Sequence, residues 1–188
     1  MGVNVIPKSK NLFWVALLGT LVIALSGCLF KPSEGGIISI GAPYELVNMV
    51  VRGDYPDTDE IEVTDGKIGD FTSPGHGPWS GMKLGEDATA PTSIIIDLGS
   101  TKPVGSVGAY VLHGAWGISA PTKLNISVSD DKETWTTPVS VARPADLSGN
   151  AGVWFTGAVN KPGRYVKCEF DIASGWLWIS EITVIQGE

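Results

Sequence analysis

The sequence has few of the residues from which metal centres and disulfide frameworks are built. Of its 188 residues, two are cysteine and two are histidine. Two cysteines cannot form a disulfide framework or a four-thiolate zinc site. The sequence also contains no serine elbow, no paired-carboxylate signature and no phosphate-binding loop, and neither histidine has an identifiable catalytic partner. It therefore predicts a protein that is not an enzyme.

Positive charge is scarce as well. The 13 Lys and Arg residues are outnumbered by 20 Asp and Glu residues, so the formal net charge is −7. This balance argues against binding to nucleic acid, to anionic headgroups or to anionic polysaccharides. The chain is instead rich in glycine (24) and tryptophan (7), and 43% of its residues are hydrophobic. That composition is typical of a folded domain rather than a disordered chain.

The N-terminal region has the layout of a secretory signal. Lys8 and Lys10 precede an uncharged run over residues 11–30, whose apolar core is followed by the small residues Ser26 and Gly27. Within it, residues 25–28 (Leu-Ser-Gly-Cys) resemble a lipobox, the motif that directs cleavage before a lipidated cysteine. The alternative is an uncleaved transmembrane anchor, because about 20 apolar residues can span a bilayer.

Both readings place the rest of the chain outside the cytoplasm, because cationic residues flanking an apolar segment stay inside. We expect a signal peptide or anchor over residues 1–27, then lipidated Cys28 and a linker over residues 28–40. The expected location is the extracytoplasmic face of the cell envelope, held to the membrane through a lipid. Cys168 is then the remaining cysteine, and its alternating strand context predicts a buried, inert thiol.

Residues 41–188 are predicted to form one all-β domain. Leu124, Ile126 and Val128 alternate with polar residues, which indicates a half-buried strand. No convincing amphipathic helix occurs after residue 36, and turn-forming residues, including Gly99 and Pro162, separate the apolar runs. This pattern favours an antiparallel sandwich or barrel. Further strands are predicted over residues 93–98, 104–112, 135–141, 153–156, 164–171 and 177–185.

Several short motifs then resemble one family in order and spacing. They lie at residues 55–58 (Tyr-Pro-Asp-Thr), 63–66 (Val-Thr-Asp-Gly), 96–99 (Ile-Asp-Leu-Gly), 107–111 (Val-Gly-Ala-Tyr-Val), 128–131 (Val-Ser-Asp-Asp, followed by Trp135), 164–166 (Arg-Tyr-Val) and 178–184 (Trp-Ile-Ser-Glu-Ile-Thr-Val). Over about residues 41–186 the chain is similar to discoidin-like domains, the coagulation factor 5/8 C-terminal type. The resemblance implies an antiparallel jelly-roll β-sandwich of the galactose-binding-like type. It also implies non-catalytic binding of sugars, phospholipid headgroups or proteins by loops at one end.

The same resemblance implies a structural calcium ion. The family's Asp-Gly turn and a Glu of its last strand match Asp65 and Glu181, and Asp70 is a nearby candidate ligand. Oxygen-rich sites of this kind suit calcium. Residues 67–70 depart from the family pattern, however, because they lack its usual threonine spacing. The alternative is that Asp65 only opens a turn and Glu181 is a surface strand residue.

The tryptophans are the candidate ligand contacts. Trp79, Trp116 and Trp176 lie among turn-forming residues, whereas Trp135 and Trp178 are expected in the core and Trp154 stays unassigned. An exposed ring offers a flat apolar face to the C–H side of a sugar, and His113 or His76 could take a hydroxyl. The alternatives are that the rings plug the ends of the sandwich and that the histidines are merely solvated.

These observations predict a non-catalytic carbohydrate-binding domain displayed on the cell surface as a lipoprotein. The alternative is a structural or adhesive envelope lipoprotein whose partner is another protein, because no catalytic domain accompanies this one. A glycan or an envelope protein is therefore the expected partner, and nucleic acid is not.

Overall fold

The structure is a computed structural model that describes residues 35–70, 78–85, 90–147, 149–173 and 175–188. The predicted signal peptide, Cys28 and most of the linker lie outside the described residues. In the part that is described, no helix is long and apolar enough to cross a membrane.

The described residues form eight β-strands, all in antiparallel pairs. Two short 3₁₀ helices, Thr58–Glu60 and Glu62–Thr64, lie between β2 and β3. The strands are β1 Tyr44–Val47, β2 Met49–Val51, β3 Ser80–Leu84, β4 Thr92–His113, β5 Lys123–Ser129, β6 Val139–Ala142, β7 Ala151–Asp171 and β8 Trp176–Gln186.

Two long strands, β4 and β7, pair along their whole length and take part in both layers. The first half of β4 also pairs with β1, and the second half of β7 with β5, which in turn pairs with β6. The second half of β4 pairs instead with β8, which continues to β3 and β2. The result is an antiparallel jelly-roll β-sandwich, as the sequence predicts.

The main core lies between the two layers. Ile94 and Ile96 point into it from one half of β4, and Val107, Ala109 and Val111 from the other. The period of two along each strand produces this arrangement. Branched aliphatic side chains dominate the core, and Phe155, Phe170 and Met82 are its larger members.

Cys168 lies in this core and is fully buried, as the sequence predicts. Its backbone pairs with Ile94 on β4 and Ile126 on β5. Burial in apolar surroundings raises the pKa of the thiol to about 12. The thiol therefore stays neutral and unreactive in the folded protein.

A second hydrophobic cluster packs on the opposite face of β4. Tyr110 and Leu112 alternate with core residues, so they point away from the core. We call this group the aromatic cluster. It comprises buried Trp79, Leu112, Ala115, Ile118 and Trp178, with Tyr55, Tyr110 and Trp176 packed against it.

Three details differ from the sequence-based predictions. The predicted turns near Gly99 and Pro162 lie inside β4 and β7, where the pairing register shifts between Asp97 and Lys102. The strand predicted from residue 135 begins only at Val139. The prediction that Trp135 belongs to the core is wrong, because its ring is half-buried outside both clusters and lies under the Lys167 ammonium.

Residues 37 and 38, which fall within the predicted linker, already pair with β8. Ile37 forms a bridge with Ile185, and the Ile38 amide donates to the Val184 carbonyl at 2.8 Å.

Candidate functional site

Trp116 occupies a tight turn in the loop between β4 and β5. The Gly114 amide donates to the Ile118 carbonyl and the Ile118 amide to the Ala115 carbonyl, both at 2.8 Å. Trp116 has a φ of +49°, a region that non-glycine residues rarely occupy. The residue as a whole is 66% exposed. Backbone strain at an exposed tryptophan is typical of a residue held in place for function.

Trp116 is the exposed end of a series of four aromatic rings, each in contact with the next. Its ring lies nearly parallel to that of Trp178, with centroids 6.3 Å apart and planes 20° apart. Tyr55 also contacts Trp178, with ring centroids 4.5 Å apart, and Trp176 contacts Tyr55 edge-on at 6.3 Å. The buried Trp178 indole N–H has no hydrogen-bond partner. The exposed ring is thus supported from behind by a packed aromatic cluster.

The base of this loop is tied to the sandwich by polar contacts. The His113 Nδ1 accepts the Ala120 amide at 3.2 Å, and the Arg143 guanidinium donates to the Ala120 carbonyl at 3.2 Å. Since Nδ1 is the acceptor, the neutral imidazole carries its proton on Nε2. His113 therefore positions the loop and keeps one N–H donor for a further contact.

Trp79 requires a correction. Its side chain is 1% exposed, with its ring stacked on Tyr110 at 5.6 Å and its indole N–H donating to the Asp70 carbonyl at 2.8 Å. A Cβ on Gly69 would meet this ring at 2.0 Å, so the packing is close. Trp79 is therefore a buried packing residue of the aromatic cluster and presents no face of its ring to a ligand.

The other predicted contacts have different outcomes. Trp176 is half-buried at the start of β8, within the ring series that supports Trp116. His76 lies outside the described residues. Trp154, which the sequence left unassigned, is 41% exposed and tilts against Tyr110 at 5.0 Å. The alternation of buried Val153 and Phe155 around it is the signal that places it on the outer face.

The predicted calcium ligands lie on β8 and on the segment that crosses it. Glu181 is completely buried, and its Oε2 accepts the Gly66 amide at 2.9 Å. The other oxygen, Oε1, has no hydrogen-bond partner. Burial raises the pKa of this carboxyl to about 7, and the negative charge of Asp65 contributes to the shift. Glu181 is therefore not a surface strand residue.

Asp65 is held by its neighbour. Its Oδ1 accepts the Lys67 amide at 2.8 Å, and its Oδ2 lies 2.8 Å from the Lys67 ammonium. Asp70 is exposed, and its backbone carbonyl accepts the hydrogen bond from the Trp79 indole of the aromatic cluster. Among the described residues, no three His, Cys, Asp or Glu side chains gather as a metal site. The structure thus does not group Asp70 with Asp65 and Glu181 in one ligand cluster.

The described residues also form a groove of about 610 Å³. It carries the ammonium groups of Lys83 and Lys123 and the carboxylates of Glu169 and Asp171. None of the described candidate ligand residues lines it. This groove is therefore separate from the exposed Trp116 ring.

Comparison with protein-family models found no matching family, and comparison with curated proteins found no match. Solved structures do match. The lectin domain of lectinolysin, solved with Lewis B antigen, superposes with a TM-score of 0.59 over 83% of this chain and 100% of that one, at 18% identity. The chain has the discoidin-like, galactose-binding-like fold.

Other solved structures agree with this assignment. A Streptococcus pneumoniae fucose-binding module gives a TM-score of 0.56 over 84% of this chain and 100% of its own, at 18% identity. Another S. pneumoniae fucose-binding module, SpX-3, gives 0.57 over 81% and 99%, at 16% identity. Because this galactose-binding-like similarity spans nearly all the described residues, the predicted fold class is confirmed.

Proposed function

We propose that the protein is a non-catalytic carbohydrate-binding domain that binds a neutral glycan on the Trp116 ring. The observation that carries the proposal is this exposed ring, stacked on Trp178 and held at a positive φ. The solved structures of similar fold include one complexed with Lewis B antigen and others described as fucose-binding modules, which supports a sugar as ligand.

The chemistry of the ring fits this ligand. An indole presents a flat apolar face with a negative quadrupole, against which the C–H face of a sugar can pack. The turn and the hydrogen bonds at Ala120 fix the ring before binding, so little conformational entropy is lost when a ligand arrives. The His113 Nε2–H supplies a donor on the same loop. An overall net charge of −7 favours a neutral ligand over an anionic one.

A glycan array with wild-type protein, Trp116→Ala and Trp154→Ala tests the proposal. Trp154 is the matched control, because it is also an exposed tryptophan and its ring likewise contacts a ring of the aromatic cluster, that of Tyr110. We expect Trp116→Ala to weaken binding at least about tenfold, or about 1.4 kcal/mol, and Trp154→Ala to bind as wild type. Equal binding by all three proteins would contradict the proposal.

A protein ligand is the alternative, and the same ring supports it, since exposed tryptophans are frequent hot spots of protein interfaces. In that case the array is silent. One envelope protein then co-purifies with the wild type and with Trp154→Ala, but not with Trp116→Ala.

We also propose one structural calcium ion between Asp65 and Glu181. The residues fit such an ion, because a buried carboxylate oxygen without a partner lies beside a second acidic side chain. Calcium would supply the positive charge that this buried oxygen lacks, and would join the turn at Gly66 to β8.

Thermal unfolding with calcium and with chelator tests this site. Calcium at a hundredfold excess over Kd stabilises a protein by about 2.7 kcal/mol. We expect the wild type and the control Glu133→Gln, at an exposed acid, to gain this stability. Glu181→Gln should gain none. An identical melting temperature of the wild type in calcium and in chelator would remove the site.

For location, we propose a lipoprotein on the extracytoplasmic face, anchored through acylated Cys28. The lipobox-like residues 25–28 and the apolar run before them support this proposal. Mass spectrometry of the membrane fraction should find acylation on Cys28 and none on buried Cys168. An intact Met1 terminus in that fraction would favour the transmembrane anchor instead.

A further inference from the structure

Lys67 holds the Asp65 carboxylate by two separate groups. Its backbone amide bonds Oδ1 and its side-chain ammonium bonds Oδ2, each at 2.8 Å. The Asp65 side chain is 9% exposed, whereas that of Lys67 is 73% exposed. The lysine therefore reaches in from solvent to a carboxylate that is otherwise largely enclosed.

The two acids are neutralised unequally. Glu181 accepts the amide of Gly66, the residue between Asp65 and Lys67, but its Oε1 faces no donor. Asp65 has an ammonium ion of its own. A cation that binds both carboxylates must share Asp65 with this ammonium. Two positive charges on one carboxylate repel each other, so the ion and the Lys67 side chain compete.

The rest of the segment stays in place without the lysine side chain. The Ser180 hydroxyl accepts the Gly69 amide at 2.7 Å and donates to the Lys67 carbonyl at 3.2 Å. These bonds and the Lys67 amide use only backbone atoms of residues 67–69. Removal of the ammonium therefore leaves Asp65 oriented by its backbone bond.

We propose that the Lys67 ammonium competes with the calcium ion for the Asp65 carboxylate and leaves this carboxylate when the ion binds. The inference rests on the proposed calcium site. It assigns to this chain a calcium affinity that is lower than the two carboxylates alone would give. Such a site fills only where calcium is abundant, as in extracellular modules with Kd values of about 10⁻⁴–10⁻³ M.

The test is a calcium titration of the detergent-solubilised full chain. Calorimetry measures the Kd for calcium, and the melting temperature measures the stabilisation that calcium gives. Lys67→Met keeps the apolar stem and removes the charge, whereas Lys67→Arg keeps the charge. Lys161→Met is the matched control, since it removes a positive charge at an exposed site elsewhere. We expect Lys67→Met to bind calcium at least about tenfold more tightly than wild type, and the other two variants to stay within about threefold.

The outcomes separate the two proposals. If calcium stabilises wild type and Lys67→Met with the same affinity, the calcium site stands and the competitor role is overturned. If Lys161→Met tightens binding as much as Lys67→Met, the effect is net charge and the competitor role is again overturned. If calcium binds to neither wild type nor Lys67→Met, both proposals fall.

Discussion

The inter-sheet core and the aromatic cluster lie on opposite faces of the same strands but are built differently. The core is mostly branched aliphatic and closed between two layers, and all eight strands contribute buried or partly buried side chains to it. The aromatic cluster is smaller, and large rings make up much of it. It contains the nearly inaccessible Trp79, and the exposed Trp116 stacks on its Trp178 from outside the cluster. One face of β4 thus packs into the closed core, whereas the other packs against aromatic side chains that lie behind the exposed Trp116 ring, the proposed ligand contact.

Hydrogen bonding differs between the buried indoles as well. The Trp79 N–H is satisfied by a carbonyl, but that of Trp178, directly behind Trp116, is not. An unsatisfied buried donor costs about 1–3 kcal/mol. Local conflicts of this kind are typical of functional sites, whereas a core under selection for stability alone avoids them.

The largest expected effect comes from the core. Phe155→Ala should lower the free energy of unfolding by about 3–5 kcal/mol, because it leaves a cavity beneath Ala109 in a closed layer. Chemical denaturation measures this loss. The alkylation rate of Cys168, measured by peptide mapping, should rise by about 10²–10⁴-fold, since the thiol reacts only when the core opens. A loss below about 1 kcal/mol would contradict the distinction between the two regions.

A smaller effect is expected within the aromatic cluster. A Cβ at position 152 would lie 1.7 Å from the Tyr110 hydroxyl, so Gly152→Ala should displace the ring that packs between Trp79 and Trp154. We expect a cost of about 1–3 kcal/mol and a changed near-ultraviolet circular dichroism spectrum. Gly53→Ala is the control, since its Cβ would meet no atom within 4 Å. An unchanged aromatic spectrum in Gly152→Ala would show that this cluster is loosely packed.

The smallest effect is expected at the surface, outside both regions. Arg164 forms a bidentate pair with Asp97 at 2.8 Å, and this hydrogen-bonded guanidinium holds the pKa of the carboxyl below its usual range. Because the folded pKa is lowered, the stabilisation is present above the unfolded value of about 3.9 and is lost as pH falls through the folded value. Asp97→Asn should cost up to about 1 kcal/mol at pH 7.

Denaturation of Asp97→Asn and of the wild type at several pH values measures the stabilisation that this ion pair contributes. The difference between them should shrink as the pH is lowered below about 4. The exposed Asp146→Asn variant is the control and should show no such pH-dependent difference. A difference that grows on acidification would have the wrong sign for this ion pair.

Much of the fold could be predicted from the sequence, because period-two alternation is a local signal. Residues 124–128 and 177–185 are strands as predicted, and Cys168 is buried on the predicted side. The continuity of β4 and β7 could not be predicted, since Gly99 and Pro162 read as turns. In the structure they are accommodated where the long strands change layer and register. β1, β2 and β3 escaped detection because strands of three to five residues carry too little periodicity.

The candidate site was less predictable, because its contacts join distant parts of the chain. The loop composition around Trp116 indicated an exposed ring, and the ring is exposed. The same argument was wrong for Trp79, which also lies among turn-forming residues but packs on Tyr110. The contact between Gly66 and Glu181 spans 115 residues, so no local pattern could show how Lys67 is placed beside it.

The position of β8 in the sheet has a consequence for how the protein is made. It is the last strand in sequence, yet it lies between β3 and β4 and also pairs with Ile37 near the start of the domain. A ribosome-bound chain that lacks residues 176–186 therefore leaves β3 without its neighbour and one edge of β4 open. This half of the sandwich is therefore completed only when β8 has joined it, and long-range pairing of this kind is slow.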